Sequence, residues 1–519
     1  MGFFEKSHIG WLPALLSLIL AGWLSCFPAE ASGSPPEVGK WRRIALPFSS
    51  FSYSGNPFEL EFSAVFKHRE SGVTLKLPGY FAGSNLWKIG FMPNRPGLWD
   101  YQTSSPDPGL NNRSGSVRCI PSGHPGLLGP DPGHPRKWKF ADGNHVLPIA
   151  LRLEFFTEPG TDEVFKRAAL FMRDHHLLLL DTRLLEEQGQ FEGGRHDFIF
   201  QGDWKKQQFD LTVWDRMERR MEILTELGLG AHLMFYSDDD GTPPWPAMSP
   251  TEKLVIRYTL ARLAGFPVLL FNTGIDIDEY RDQTWVDWFG RQIRELDPYG
   301  HPVSSRYGGG SGEMVMKGQT FDSRGERFAK MADMVRYFKA SGVPVSMDDA
   351  WGENRTRVSE KTFRPEDIRR AFWKCLASGG LGGIIRGDDG YFHLHNLPED
   401  LESEQWLKWI NPFLQKELGR TFPVMVPDPT PAVNGFSLAD PERTLIMILY
   451  LGKDDRWDPG PGGPLQIQGE RLSGSYRARW FDPRTGKFTS AGLVAAGKLI
   501  SLDPPSPEDW VLLLDRQNP

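Results

Sequence analysis

FPVLLFNTGIDIDEYR, residues 266–281, decides how this chain is to be read. Val268 to Phe271 is an apolar run of strand length, with no polar residue at alternate positions. A strand with one face in water alternates apolar and polar residues, whereas a strand covered on both faces does not. The run ends at Asn272-Thr273-Gly274, and three acids, Asp276, Asp278 and Glu279, follow directly. In the next segment, TWVDWFGRQIREL, the residues Trp285, Trp288, Phe289, Ile293 and Leu296 share one face at helical spacing. A doubly covered strand followed by an amphipathic helix is the repeating half of a parallel, helix-covered sheet.

The same unit recurs on both sides. Strand-length apolar runs lie at 145–153 (HVLPIALRL), 175–185 (HHLLLLDTRLL), 230–237 (GAHLMFYS), 301–309 (HPVSSRYGG), 318–323 (GQTFDS), 343–349 (VPVSMDD) and 380–387 (GLGGIIRG). Helical stretches such as TDEVFKRAALFMRDH and LTVWDRMERRMEILTELG separate them. Eight units over about 275 residues fit a (β/α)8 TIM barrel. The sixth strand is the least regular, because SGEMVMK before it is too short for a full helix.

Outside the barrel the period changes to two. In FELEFSAVF, Phe58, Leu60 and Phe62 alternate with Glu59, Glu61 and Ser63. Turn sequences such as Pro78-Gly79 and Asn94-Arg95-Pro96-Gly97 punctuate this part. After residue 425, TLIMILYL, SYRARWF and DWVLLLD return to strand character. The expected architecture is therefore multidomain: a signal peptide (1–31), an antiparallel β-sandwich (32–122), the barrel (123–424) and a second antiparallel β-sandwich (425–519).

Composition bounds the function. Hydrophobic residues make up 39% and charged residues 24%, the balance of a folded soluble chain rather than a disordered one. The net charge is −7, with acids and bases interspersed, so no basic stripe points to nucleic acid. Trp11 to Leu24 and the Ala29-Glu30-Ala31 site read as an export signal, which implies a secreted or periplasmic protein. Cys26 offers the lesser alternative of a lipoprotein anchor, and with it cell-surface attachment. No later stretch reaches the roughly 20 apolar residues of a membrane span. After cleavage only Cys119 and Cys375 remain, too few for a disulfide framework or a structural zinc site. No metal or cofactor is expected.

Catalytic groups of a barrel belong at the C-terminal ends of its strands. Those ends carry Arg152, Asp181, Asp238, Asp276, Arg306 with Tyr307, and Asp348-Asp349. Many acids, few histidines and no G-x-S-x-G elbow favour hydrolysis of a glycosidic bond, which needs one protonated carboxyl and one carboxylate. Trp351, just after the strand-7 acids, offers an aromatic face for a sugar ring.

YSGNPFELEFSAVF (53–66), LPGYFAGSNLWKIGFMPNRPGLWDYQT (77–103) and KWKFADGNHVLPIA (137–150) resemble the immunoglobulin-like first domain and barrel entry of secreted glycoside hydrolases of the apiosidase-like group. YRARWFDPRTGKF (476–488) and DWVLLL (509–514) resemble that group's C-terminal "putative collagen-binding" module. The resemblance implies a carbohydrate substrate and a two-carboxylate mechanism. It picks Asp276 as the general acid/base, since Phe271-Asn272-Thr273-Gly274-Ile275-Asp276 follows the group's aromatic-Gly-Gly-Asp ending with Ile275 in place of the second glycine. Asp349 falls where the group has a strand-7 Glu and becomes the nucleophile or base, with Glu353 as the reserve carboxyl. Arg152, Asp181, Asp238, Arg306, Tyr307 and Trp351 would line the sugar site. Asp in place of Glu shortens reach by about 1 Å, which matters against the ~5–5.5 Å carboxyl separation of retaining enzymes. The strand-1 ending departs from the group's Gly-x-Thr-x-Trp as Ala150-Leu151-Arg152-Leu153-Glu154. The rival expectation is a carbohydrate-binding protein on a barrel that no longer cleaves.

Overall fold

The computed structural model describes residues 34–152, 160–185, 199–237, 242–306, 314–324, 330–352, 364–386, 402–460 and 462–517. The expected export signal lies outside the described residues. No helix among the described residues is long and apolar enough to cross a membrane.

The centre is an eight-stranded parallel sheet. Its strands are β1 (Ile149–Arg152), β2 (Leu179–Arg183), β3 (Gly230–Tyr236), β4 (Leu269–Gly274), β5 (Val303–Ser304), β6 (Asp322–Arg324), β7 (Val345–Gly352) and β8 (Gly382–Arg386). All eight fall within or against the apolar runs of the sequence. They pair in chain order, with β1 also beside β8, so the sheet curls into a barrel. Among the described residues β5 and β6 share no ladder, but Thr320 N–H donates to the Val303 carbonyl at 2.9 Å, which brings the two ends together.

Among the described residues, six helices of ten residues or more cover the barrel: α1 (Asp162–Asp174), α2 (Leu211–Glu226), α3 (Pro250–Leu263), α4 (Gln283–Leu296), α5 (Met331–Ala340) and α6 (Pro365–Ala377). Side-chain caps start several of them: Thr161, Asp210, Ser249 and Asp282 each accept an N–H of the first turn. In α4 the expected face is buried through Trp285, Trp288, Phe289 and Ile293. No helix occurs at 314–321 ahead of β6, as the short SGEMVMK segment implied.

A hairpin of Leu128–Asp131 and His134–Phe140 plugs the end of the barrel where the strands begin. Trp138 is fully buried there, its ring 5.7 Å from Phe321, and its indole N–H donates to the carbonyl of Val345, the first residue of β7. Beside it Lys137 donates to the carbonyls of Gly379 and Met425, each at 2.8 Å. Burial, helped by the neighbouring Arg136 charge, pushes that ammonium down to about 7.

The N-terminal β module packs a five-stranded sheet on a three-stranded one, with Phe66 stacked on Phe91 between them. The alternation read from FELEFSAVF holds in burial from Phe58 onward, although ladder pairing begins only at Ser63. In the C-terminal module Leu445–Tyr450 is apolar throughout because both faces are covered. Ile446, Ile448 and Tyr450 enter that module's own core, while Met447 and Leu449 join the core shared with the barrel.

Buried ion pairs join both modules to the helices. On one flank Arg43 lies 2.8 Å from Glu218 of α2, which also takes Arg262 of α3 at 3.2 Å and the Tyr80 hydroxyl at 3.0 Å. On the other, Asp509 holds Arg369 at 2.6 Å and Arg370 at 3.1 Å, and Lys374 reaches Asp455 at 2.8 Å. All three cations belong to α6. Cys119 and Cys375 are buried free thiols, and burial raises both, Cys119 to about 11.

Candidate active site

Along a barrel strand alternate side chains point inward. Low in the barrel the inward residues are apolar, among them Ala150, Leu179, Leu270 and Ile384. One step nearer the C-terminal ends most inward residues become polar, Met234 of β3 excepted: Arg152 from β1, Asp181 from β2, His232 from β3, Asn272 from β4, Ser323 from β6 and Asp348 from β7. All are buried. Arg152 Nε donates to Asp181 Oδ2 at 2.6 Å, and its Nη2 reaches the Asp348 carbonyl at 3.3 Å. His232 bridges the two acids, with Nδ1 3.0 Å from Asp181 Oδ1 and Nε2 3.9 Å from Asp348 Oδ2. Ser323 and Ser346 donate to the two Asp348 oxygens. Asn272 completes the ring through Ser323 at 3.1 Å.

The charges of this layer set one another. Burial alone would raise the Asp181 carboxyl, but Arg152 and His232 outweigh it and hold it at about 2. Burial would lower the His232 imidazole, yet Asp348 and Asp181 overcome that and raise it. The Asn272 amide nitrogen, 3.4 Å from His232 Nε2, would prefer a neutral ring. That long contact carries little weight beside two carboxylates.

Above this floor stands the end of β4. Gly274 has φ +152° there, and a Cβ would sit 2.4 Å from the Tyr236 carbonyl oxygen, so only glycine fits. Asp276 follows in the left-handed region at φ +44°. Its side chain is 24% exposed, and Oδ1 lies 3.4 Å from Arg306 Nη2 at the end of β5. The Arg306 carbonyl accepts the Ile277 N–H at 3.1 Å, a second tie between the β4 and β5 ends. Asp278 is half-buried and Glu279 exposed on the turn that follows. Glu252 of α3 accepts from Trp285 Nε1 at 2.9 Å and from the Met248 N–H, fastening the loop after β3 to the helix after Asp276. Burial raises the Glu252 carboxyl.

Four of the expected site residues can thus be placed. Asp276 and Arg306 meet at the rim, and Arg152 and Asp181 meet in the floor. For Asp349 and Trp351 the backbone lies in β7, but their side chains are outside the described residues, as are Asp238, Tyr307 and Glu353 altogether. The sequence reading had not singled out His232, Asn272, Ser323 or Glu252. The one available signal for His232 was a titratable residue inside the apolar run GAHLMFYS. Among the described residues no group of three or more His, Cys, Asp or Glu is arranged to hold a metal.

Residues 37–106 match the family model "Domain of unknown function (DUF5060)", and residues 460–515 match "Putative collagen-binding domain of a collagenase". No curated protein matches the chain. Among solved structures, one described as a "putative glycoside hydrolase" of Bacteroides vulgatus is similar over 93% of this chain and 100% of its own, with TM-score 0.72 and 17% identity. A second, described as "Glycoside hydrolase", covers 76% of this chain and 97% of its own, with TM-score 0.59 and 13% identity. A glycoside hydrolase family 5 protein of Bacteroides vulgatus covers 75% of this chain and 94% of its own, with TM-score 0.59 and 15% identity. The multidomain architecture, a TIM barrel between β modules, is therefore shared with the first of these.

Proposed function

We propose that the chain is an exported glycoside hydrolase acting on a poly- or oligosaccharide through two carboxyl groups. The observation that carries this reading is Asp276, a partly exposed carboxylate at the C-terminal end of β4, held at the rim by Arg306. In a TIM barrel that position serves chemistry rather than stability. The similar solved structures described as glycoside hydrolases support the same class.

In this reading Asp276 is the general acid/base and Asp349 the nucleophile or base, with Glu353 as the reserve. The leaving oxygen takes a proton from Asp276, and the anomeric carbon is attacked by the second carboxylate or by water activated on it. An arginine at ion-pair distance suits a charged carboxylate, so delivery of a proton calls for the Arg306 contact to loosen when sugar enters. Arg306, Tyr307, Asp238 and Trp351 would line the sugar. Arg152 and Asp181, committed to each other, support the floor.

The test is reducing-sugar release from a panel of plant and bacterial polysaccharides by the purified protein. Loss of an acid/base contributes about 10²–10⁴-fold, so Asp276→Ala and Asp349→Ala should each remove most turnover. Cleavage unchanged in both variants sinks the assignment. One observation favours a second reading, glycan binding without turnover: the floor carboxylates Asp181 and Asp348 are both engaged internally. Binding of a polysaccharide with no product at high protein concentration would decide for it.

A further inference from the structure

Away from the barrel mouth, the N-terminal β module carries an open groove of about 600 Å³ lined by Lys40, Trp41, His68, Asn94, Arg95 and Pro96. Its chemistry is mixed in a specific way. Lys40 is half-buried and Arg95 exposed, and among the described residues neither has a carboxylate within ion-pair distance. Asn94 Oδ1 is buried at the groove and accepts no hydrogen bond. Trp41 stands in the left-handed region at φ +61°, a costly conformation for a bulky residue, fixed by its N–H to the Pro93 carbonyl at 2.9 Å. His68 forms the back wall and is already engaged, by the Pro96 carbonyl and Glu70 at 2.9 Å and by Ser71 at 2.8 Å.

The groove therefore offers two cations without a carboxylate partner among the described residues and one acceptor that wants a donor, whereas Trp41 is 8% exposed and lies under the Lys40 ammonium, 5.6 Å from its ring centroid. An anion alone would satisfy the cations and leave Asn94 wanting. A neutral sugar would satisfy Asn94 and leave the cations without partners. An anionic sugar satisfies all of them, with its carboxylate or sulfate between Lys40 and Arg95 and a hydroxyl donating to Asn94 Oδ1. We propose that this groove is an accessory binding site for an acidic polysaccharide, separate from the barrel mouth. The choice of a sugar over other anions rests on the reading of the barrel as a glycoside hydrolase; the binding itself does not need turnover.

The experiment uses the full chain carrying Asp276→Ala, so that no probe is degraded during the measurement. Its affinity is measured by calorimetry for polygalacturonate, a sulfated galactan, a neutral galactan and a single-stranded DNA oligonucleotide, at low and at 0.5 M salt. The expected result is binding of at least one of the two acidic polysaccharides, weakened by salt as partly exposed charge contacts are. Adding Lys40→Ala and Arg95→Ala together should weaken that binding about tenfold or more, and Asn94→Ala should weaken it further. The difference between polygalacturonate and sulfated galactan identifies the anionic group. Equal affinity in the Lys40→Ala/Arg95→Ala variant, equal affinity for neutral galactan, tighter binding of the oligonucleotide, or no binding of either acidic polymer would each overturn the proposal. Both side chains lie at the surface, and an unchanged near-ultraviolet circular dichroism spectrum certifies the fold. If wild-type protein cleaves a polysaccharide while the groove variants bind like their parent, only the groove is refuted. If acidic polymer binds as expected and nothing is ever cleaved, only the hydrolase reading fails.

Discussion

Asp181→Asn tests the charge balance of the barrel floor. The substitution keeps the shape of the side chain and removes its charge, leaving Arg152 at 2.6 Å and His232 at 3.0 Å to face Asp348 alone. The carboxyl sits at about 2 rather than its ordinary 3.8, and at ~1.4 kcal/mol per pH unit this corresponds to about 2–3 kcal/mol of stability at neutral pH. Breaking one side of a buried pair typically costs about 3–5 kcal/mol, so a loss of about 3 kcal/mol is expected at pH 7. The pH dependence is more discriminating. In the wild type His232 is raised by two carboxylates, so its contribution is full below about 6.5 and is lost as pH climbs through its folded value. With one carboxylate gone, that contribution shrinks or reverses in the variant. The gap between wild type and variant should therefore be widest near pH 5 and narrower near pH 9. Urea unfolding followed by tryptophan fluorescence at pH 5, 7 and 9 measures it. A gap under about 1 kcal/mol at pH 7, or one that widens with pH, would refute the reasoning.

Three further outcomes are expected. His232→Gln should flatten the fall in wild-type stability between about pH 6.5 and 9, because the group whose folded value is raised is gone; urea midpoints across that range check it. Asp509→Ala strands Arg369 and Arg370 in a buried site and should cost about 3–5 kcal/mol, seen as earlier thermal unfolding and as faster proteolysis of the C-terminal module. Gly274→Ala drives a methyl group against the Tyr236 carbonyl at a φ that alanine avoids. It should cost about 1–3 kcal/mol and, by displacing Asp276, lower turnover more than substrate binding, which a separate measurement of kcat and KM resolves.

The barrel could be read from the sequence because every strand is covered twice. Runs such as FPVLLF have no polar side to blur them, and helices with one apolar face lie between them. The ends were read less well. His175 and His176, which open the run HHLLLLDTRLL, belong to the C-terminal end of α1, and His176 adopts φ +57° to leave it. Asp276 could be read because the strand-end rule needs only the order of the elements. The floor could be read only in part: Arg152, Asp181 and Asp348 stand at strand ends, but His232 and Asn272 carry no such mark. In a strand buried on both faces, nothing local distinguishes a polar residue aimed at seven other strands from one aimed at a helix. His232 and Asn272 acquire partners only when the sheet closes. The same blindness applies to Arg262 and Arg369, whose helical positions look like solvated faces until the flanking modules are seen to cover them.

The buried pairs at Glu218 and Asp509 leave little room for a hinge between barrel and flanks, since any swing would separate charges in a medium that punishes separation. A polymer gripped on the first module would thus meet the barrel mouth at a span set by the fold, as between the jaws of a caliper, instead of one averaged over a loose tether. Chain length and the spacing of anionic residues along the polymer would then matter together, and fragments shorter than that span would gain nothing from the grip.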